Sequence, residues 1–262
     1  MTIQQISWDD AAIRGDLARV KALKPFCYGL TNYIAANLSA NVLLAVGAGP
    51  AIGTAADWPK VFATHAHAVW INAASLMTCS ADEIRLAARS AHEAGVPWVL
   101  DPVAVGAGAP EYDAIVKSLL DFKPTAIRGN ASELVALAGG NGGGQGVETT
   151  MTSDKALPFL EKVARELGTI AAVSGPVDYI TDGKTTIAVG GGDVRLTQVT
   201  GAGCSLGALM SAMLAGAEDK LQAVVAAHAV YARAAERAAH ARGTGSFAVA
   251  FLDELSLIDP AE

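Results

Sequence analysis

The sequence is short of charge, aromatic residues and cysteine. Only 17% of its 262 residues are charged and 6% are aromatic, and the formal net charge is −7. An acidic chain of this kind is not expected to bind nucleic acid as its main task. No uncharged apolar run reaches the roughly 18 residues that a membrane span needs. The three cysteines contain no CxxC pair, which is typical of reduced thiols in a cytosol.

Several targeting and catalytic motifs are also missing. The N-terminus has no basic region followed by an apolar core, so no secretory signal is predicted and we expect a cytoplasmic protein. No GxxxxGK[ST] motif is present, which excludes a P-loop, and no GxGxxG follows the first strand predicted below, which argues against a dinucleotide fold. The absence of a nucleophile-elbow motif disfavours a hydrolase.

Predicted strands alternate with predicted helices along the whole chain. The strands are predicted at 26–30, 68–72, 96–102, 125–128 and 169–174, followed by a hairpin over 179–189 that turns at Asp182-Gly183. The helices are predicted at 7–23, 33–46, 80–94, 112–120, 133–138, 153–167, 221–241 and 247–257. This order predicts one doubly wound α/β domain over residues 1–262, with a mostly parallel sheet and an antiparallel edge.

Two glycine-rich segments interrupt this pattern. Six of the eight residues 139–146 are glycine, which predicts a mobile surface loop that either covers a ligand or simply connects two elements. The second segment, residues 199–204, places Gly201, Ala202 and Gly203 before a buried helix. A glycine turn at a helix start presents free backbone N–H groups and the positive end of the helix dipole, so we expect an anion hole here. Cys204 follows in the first helical turn, where a thiolate is stabilised; the alternative is a close helix–sheet contact with a small buried cysteine.

Polar side chains follow the predicted parallel strands. Asn72, Asp101, Arg128 and Ser174 stand where four of these strands end. In an open α/β sheet a ligand binds beyond the carboxyl ends of the strands, so these residues and the 201–203 turn are predicted to converge.

The converging residues have the chemistry of phosphoryl transfer. Asp101 and Glu133 are carboxylates that can hold Mg²⁺, although an Asp-Pro turn and a helix first-turn charge are alternatives. Arg128 offers a fork for phosphate, unless it only extends from the strand end towards solvent. Ser174 can donate to a nucleotide or cap a turn. Together these residues predict phosphoryl transfer to a small alcohol, with Cys204 beside the accepting hydroxyl.

The histidines predict no metal centre. His65 and His67 form an HxH pair without a third ligand nearby, so a solvated helix end is the preferred interpretation. His92, His228 and His240 lie on alanine-rich helices and are predicted to be surface or interface residues.

Six segments, in order and across nearly the whole chain, resemble the hydroxyethylthiazole kinase family of the ribokinase-like superfamily. They are residues 31–33, 39–48, 100–107, 127–133, 199–204 and 245–247. Most of the superfamily has aspartate where Cys204 stands, and cysteine there is a mark of this family.

The resemblance implies a three-layer α/β/α ribokinase-like fold and ATP-dependent phosphorylation of the hydroxyethyl group of 4-methyl-5-(2-hydroxyethyl)thiazole, in thiamine salvage. It also implies a homotrimer with sites between subunits. The roles it implies are Cys204 beside the accepting hydroxyl, Gly201 in contact with substrate, Arg128 and Ser174 in contact with ATP, Asn32 facing the triphosphate, and Asp101 and Glu133 serving Mg²⁺ and the phosphates.

Three departures from the family pattern fall around the expected acceptor pocket. Tyr28-Gly29 replaces a His-Asn pair, Ile52 takes the place of a substrate-contacting methionine, and residues 72–76 read Asn-Ala-Ala-Ser-Leu. Ile52 is therefore the expected substrate contact in this chain. The departures leave two alternatives to a thiazole kinase: a kinase of the same fold for another small alcohol, and a non-catalytic protein that binds ATP or the thiazole.

Overall fold

A computed structural model describes residues 3–140 and 151–262 of the chain. Within them, nine strands form one sheet: β1 (Gln4–Ile6), β2 (Phe26–Leu30), β3 (Gly49–Ile52), β4 (Ala68–Asn72), β5 (Trp98–Asp101), β6 (Ala126–Gly129), β7 (Ile170–Val173), β8 (Asp178–Thr181) and β9 (Thr186–Val189). Their order across the sheet is β1-β9-β8-β7-β6-β5-β4-β2-β3. Every neighbouring pair is parallel except the two pairs that involve β8. The predicted mostly parallel sheet is confirmed.

The helices of the described residues cover both faces of the sheet. They are α1 (Ala11–Leu23), α2 (Ala36–Ala45), α3 (Trp58–His65), α4 (Ala81–Glu93), α5 (Pro110–Ser118), α6 (Ala131–Leu137), α7 (Leu157–Leu167), α8 (Ala202–Leu214), α9 (Lys220–Arg237) and α10 (Thr244–Leu257). One apolar core joins the sheet to α1, α2, α8, α9 and α10, and a second joins the other face to α3, α4, α6 and α7. The predicted three-layer α/β/α architecture is confirmed. Among the described residues, no helix is both long enough and apolar enough to cross a membrane.

Two edge strands were not predicted. Strand β1 pairs with β9, although the sequence predicts no strand before the helix at 7–23. Strand β3 pairs in parallel with β2, whereas Gly-Pro at 49–50 predicts a turn with Ile52 on a loop. The prediction of a loop at Ile52 is wrong because β3 lies at the sheet edge, where a proline need not donate to a neighbouring strand.

Capping residues fix several helix ends. Helix α4 begins next to residue 80, where its start is predicted, with a capping box in which Ser80 and Glu83 bond reciprocally. Helix α1 begins at Ala11 rather than at residue 7 because Asp10 caps it, accepting the N–H of Ala12. The hairpin of β8 and β9 turns at Asp182-Gly183 as predicted. Most of the predicted 139–146 loop, from residue 141 onward, lies outside the described residues.

Candidate active site

Helix α8 begins in a left-handed glycine turn. Gly201 has φ +83°, a conformation that favours glycine, and a Cβ at this position would stand only 3.1 Å from the Cα of Ala35. The N–H of Ala202 donates to the carbonyl of Val199 at 3.1 Å. The N–H groups of Gly203 and Cys204 have no acceptor among the described residues. Among the described residues the N–H of Gly201 likewise finds no acceptor, so Gly201 and Gly203 of the predicted anion hole keep open donors, and Cys204 adds a third.

Two buried hydrogen bonds connect the start of α8 to α9. The hydroxyl of Tyr231 in α9 donates to the carbonyl of Ala202 at 2.7 Å and lies 2.9 Å from Oγ of Ser205. All three residues are buried. The position of the helix N-terminus is thus set by the packing of α8 against α9.

Asp101 lies at the carboxyl end of β5, level with Asn72 at the end of β4. Nδ2 of Asn72 donates to Oδ2 of Asp101 at 3.0 Å, and Nη1 of Arg128 lies 3.6 Å from the same oxygen. The other oxygen, Oδ1, is buried and has no hydrogen-bond partner among the described residues. Burial raises the pKa of Asp101 to about 7, against the opposing effect of Arg128. The carboxylate therefore keeps one oxygen for a cation or a ligand donor.

Arg128, at the end of β6, connects Asp101 to Ser174. Its Nε and Nη2 lie 3.2 and 3.0 Å from Oγ of Ser174, just after β7. Burial lowers the pKa of Arg128, but the charges of Asp101 and Glu133 raise this pKa by more, so the net shift is upward. The predicted pair Arg128 and Ser174 is brought together, and the cation faces the start of α8 at Gly203.

Glu133 is buried in a capping box at the start of α6. Its Oε2 accepts the N–H of Asn130 at 2.7 Å, and its Oε1 accepts the N–H of Ala104 at 2.9 Å. Ala104 has φ +62°, a conformation that costs energy for any residue with a Cβ. Glu133 therefore holds the loop that follows Asp101, and its charge raises the pKa of Asp101.

Cys204 lies beside this group of charges. Burial and the neighbouring Asp101 raise the pKa of its thiol to about 11, while hydrogen bonds from the amides of Asn72 and Asn32 act in the opposite direction. Oδ1 of Asn32 also accepts the N–H of Ala35 at 2.9 Å. Asn32 is thus held between the start of α2 and Cys204.

A cavity of about 600 Å³ opens beside Arg128 and Gly203. It lies between the end of β7, the segment after β9, and helices α8 and α9. Its other lining residues are Ser174, Gly175, Pro176, Asp178, Val189, Gly191, Gly192, Asp193, Val194, Leu196, Thr197, Ala202, Leu206, His228, Tyr231 and Ala232. The volume is in the range of pockets that hold small organic ligands.

The sequence did not predict one buried pair on the cavity wall. Nδ1 of His228 lies 2.6 Å from Oδ2 of Asp178, whose Oδ1 accepts the N–H of Gly175 at 2.8 Å. His228 was predicted to be a surface or interface residue, and the surface position is wrong. The side chain of His228 is 1% exposed because α9 packs that side of the helix on the sheet. Its place three residues before Tyr231, on the same helix face, was the available signal.

The remaining predicted residues have simpler environments. His92 and His240 are exposed, and His65 is exposed at the end of α3, as predicted. Among the residues that the structure describes, no three His, Cys, Asp or Glu side chains group as metal ligands. Ile52 lies in the edge strand β3, packed against the core that includes α8.

Comparison with known proteins identifies the family. The sequence model of the hydroxyethylthiazole kinase family matches residues 17–261. A hydroxyethylthiazole kinase of Burkholderia pseudomallei (strain 668) is 64% identical over 260 residues, which cover 99% of this chain and 94% of that protein. The solved structure of the hydroxyethylthiazole kinase protein from Pyrococcus horikoshii OT3 is 34% identical, with a TM-score of 0.82 over 94% of this chain and 93% of that one.

A more distant structure bears on the fold alone. A ribokinase-like superfamily protein from Enterococcus faecalis V583 is 10% identical, with a TM-score of 0.63 over 97% of this chain and 95% of that one. The predicted ribokinase-like fold is confirmed. With a family match over nearly its whole length, the chain belongs to the hydroxyethylthiazole kinase family.

Proposed function

We propose that this protein transfers the γ-phosphoryl group of ATP to the hydroxyethyl group of 4-methyl-5-(2-hydroxyethyl)thiazole, giving the thiazole phosphate for thiamine salvage. The observation that carries the proposal is the meeting of three features around Arg128, which lines the cavity with Gly203. They are the open N–H groups of Gly203 and Cys204, the guanidinium of Arg128 and the carboxylate of Asp101. Phosphoryl transfer depends mainly on positioning and charge neutralisation, which such a set supplies.

The cavity is the proposed ATP site. The phosphates would lie at its Arg128 end, where the helix dipole of α8 and the guanidinium both favour negative charge. Ser174 holds Arg128 in place through two hydrogen bonds to the guanidinium. Asn32, beside Cys204, would face the triphosphate from the opposite side. The mainly apolar wall further along suits a nucleoside.

Mg²⁺ is the proposed metal ion. Asp101 fits this role because its Oδ1 is buried without a hydrogen-bond partner. Both oxygens of Glu133 already accept backbone N–H groups, so Glu133 would act through water and through its charge. Mg²⁺ commonly binds one or two carboxylates together with substrate phosphates, and it would neutralise phosphate charge here.

Cys204 is the proposed residue beside the accepting hydroxyl, and Gly201 and Ile52 are proposed substrate contacts. A thiol with a pKa of about 11 is protonated at neutral pH, so Cys204 would orient the hydroxyl rather than remove its proton as a thiolate. The charge of Asp101 contributes to the raised pKa of this thiol, which places the carboxylate that would bind Mg²⁺ beside Cys204.

The assembly is proposed to be a homotrimer with sites between subunits. Four large apolar side chains on or just before the packed helices α2 and α10 are at least half exposed: Tyr33, Ile34, Leu44 and Val249. Exposed apolar groups of this number favour a protein interface. Light scattering should give three times the 26.7 kDa chain mass, and Leu44→Asp should lower it. A monomeric wild type would refute the trimer.

The chain is proposed to act as one kinase domain over residues 1–262, in the cytoplasm. Cys27, Cys79 and Cys204 are all free thiols, which agrees with a reducing compartment. Labelling of all three thiols in protein extracted under acid quench would support this location, whereas a disulfide would count against it.

A coupled assay for ADP release, with Mg²⁺ and millimolar thiazole alcohol, tests the function directly. We expect thiazole-dependent ADP release and a phosphate-ester product. Asp101→Asn, which keeps the shape of the side chain, should lower turnover by about 100-fold or more. No thiazole-dependent release would refute the proposal. Better turnover of a pyrimidine, pyridoxal-like or sugar alcohol would favour another acceptor, and ATP binding without turnover of any alcohol would favour a binding protein.

A further inference from the structure

Gly29, Trp70 and Ile52 form a row across three neighbouring strands. The sheet register pairs Gly29 of β2 with Trp70 of β4 on one side and with Ile52 of β3 on the other. A Cβ built at residue 29 would overlap atoms Cε2, Cζ2 and Cη2 of the Trp70 indole. The backbone of Gly29 is not left-handed, so the indole alone requires glycine there. Trp70 thus lies across β2 in the direction of Ile52.

This row is on the face of the sheet that carries the candidate site. Alternate residues of a strand share a face, so Trp70 lies on the same side as Asn72, about 7 Å further along β4. Asn72 bonds Asp101, and its amide also reaches Cys204. Trp70 therefore lies on the face that carries the candidate site, two residues before Asn72, and belongs to the core against which the proposed substrate contact Ile52 packs.

Packing alone does not account for a tryptophan at this position. Trp70 is 1% exposed, and its Nε1 is buried without an acceptor in the described part of the chain. Buried indole N–H groups usually find a partner. Trp98 shows the contrast: it is equally buried on the opposite face of the sheet, and its Nε1 donates to the carbonyl of Phe122 at 3.0 Å. An aliphatic side chain at residue 70 would pack without an unpaired donor.

We infer that Trp70 is a specificity-determining residue that limits the size of the alcohol, and that Gly29 makes room for its ring. The inference rests on the proposed function and concerns the acceptor end of the same site. The indole closes the space beside Ile52, so a small ring alcohol is accepted and a bulkier one is refused. A smaller side chain at residue 70 opens that space.

Trp70→Leu tests the inference, with Trp98→Leu as the matched control. The readouts are kcat/KM for the thiazole alcohol and for analogues that carry longer alkyl groups on the ring, together with the KM for ATP. In Trp70→Leu, the ratio of bulky to parent alcohol should rise by about 10-fold or more, with the KM for ATP within about twofold. In Trp98→Leu the ratio should not change. An unchanged ratio in folded Trp70→Leu would overturn the inference.

A second pair of variants covers the case in which Trp70→Leu does not fold. Gly29→Ala displaces the indole and should raise the KM for the thiazole alcohol by about 10-fold, while the KM for ATP stays unchanged. Trp70→Phe removes the overlapping atoms, so it should restore the KM in the double variant. No change in Gly29→Ala, or no rescue, would contradict the inference. Wild-type protein without thiazole-dependent ADP release would instead refute the proposed function.

Discussion

The guanidinium of Arg128 lies against Gly203, close enough that a Cβ at residue 203 would stand 3.0 Å from Nη1. Gly203 is helical and exposed, so its backbone does not require glycine. The close approach keeps the cation beside the open N–H groups at the start of α8. It is the contact on which the proposed phosphate site most depends.

Gly203→Ala should therefore lower kcat/KM for ATP while it changes the stability of the fold little. The added methyl group displaces the guanidinium and its bonds to Ser174, and we expect kcat/KM for ATP to fall about 10- to 100-fold. Thermal unfolding should change little. Gly15→Ala in α1 is the control, since nothing lies within 4 Å of that site. If Gly203→Ala unfolds, the glycine serves packing instead.

Cys204 should react slowly with alkylating agents at neutral pH. With a pKa of about 11, only about one thiol in a thousand is ionised at pH 8. The rate of carboxamidomethylation at residue 204, measured by mass spectrometry, should rise about 10-fold per pH unit between pH 7 and 10. Cys204→Ser identifies the signal of the two other thiols. A rate that levels off near pH 7 would show an ionised thiolate.

Cys204→Asp should keep substantial turnover. In the proposed role, Cys204 orients an accepting hydroxyl that is activated mainly by its position. A carboxylate at residue 204 is also a competent base for that hydroxyl. We expect kcat within about 10-fold of the wild type, measured by ADP release, with ATP affinity from calorimetry unchanged. Abolished turnover in a folded variant that still binds ATP would contradict this role for Cys204.

The sequence predicts the strand ends well because position in a parallel sheet fixes them. Asn72, Asp101, Arg128 and Ser174 follow apolar runs, and the topology alone brings them together. Glu133 lies in the first turn of α6, close to the predicted helix start, but the sequence does not reveal that both of its oxygens accept backbone N–H groups.

Features that depend on distant residues could not be predicted in this way. His228 meets Asp178 fifty positions earlier in the chain, and an alanine-rich helix carries little signal about which face is buried. Strand β3 escapes prediction because Gly-Pro also begins turns. The packing of the Trp70 indole on Gly29 follows from the register of β2 and β4, which no local sequence pattern specifies.

Asp101→Asn should change how stability depends on pH in the metal-free protein. The folded-state pKa of Asp101 is raised to about 7, above its value of about 3.9 in an unfolded chain. The folded state therefore binds more protons between these two pH values, so the contribution of Asp101 to stability is full below about pH 4 and is lost as the pH rises through 7. Urea unfolding in EDTA should show that Asp101→Asn gains stability relative to wild type from pH 5 to pH 8. Parallel curves for the two proteins would contradict the raised pKa.

Tyr28→Phe should affect stability but not the choice of acceptor. Tyr28 is a departure from the family pattern, but strand alternation places its ring on the face of the sheet opposite Trp70. The ring packs against Phe62, and the hydroxyl donates to the carbonyl of Gly53 at 2.8 Å. Loss of that hydrogen bond should cost about 1 kcal/mol in the free energy of unfolding. The KM for the thiazole alcohol, measured by ADP release, should stay within about twofold of the wild type, in contrast to Gly29→Ala. A large change in that KM would place the phenol in the acceptor pocket, because a side chain confined to the other layer has no route to the substrate except through the sheet.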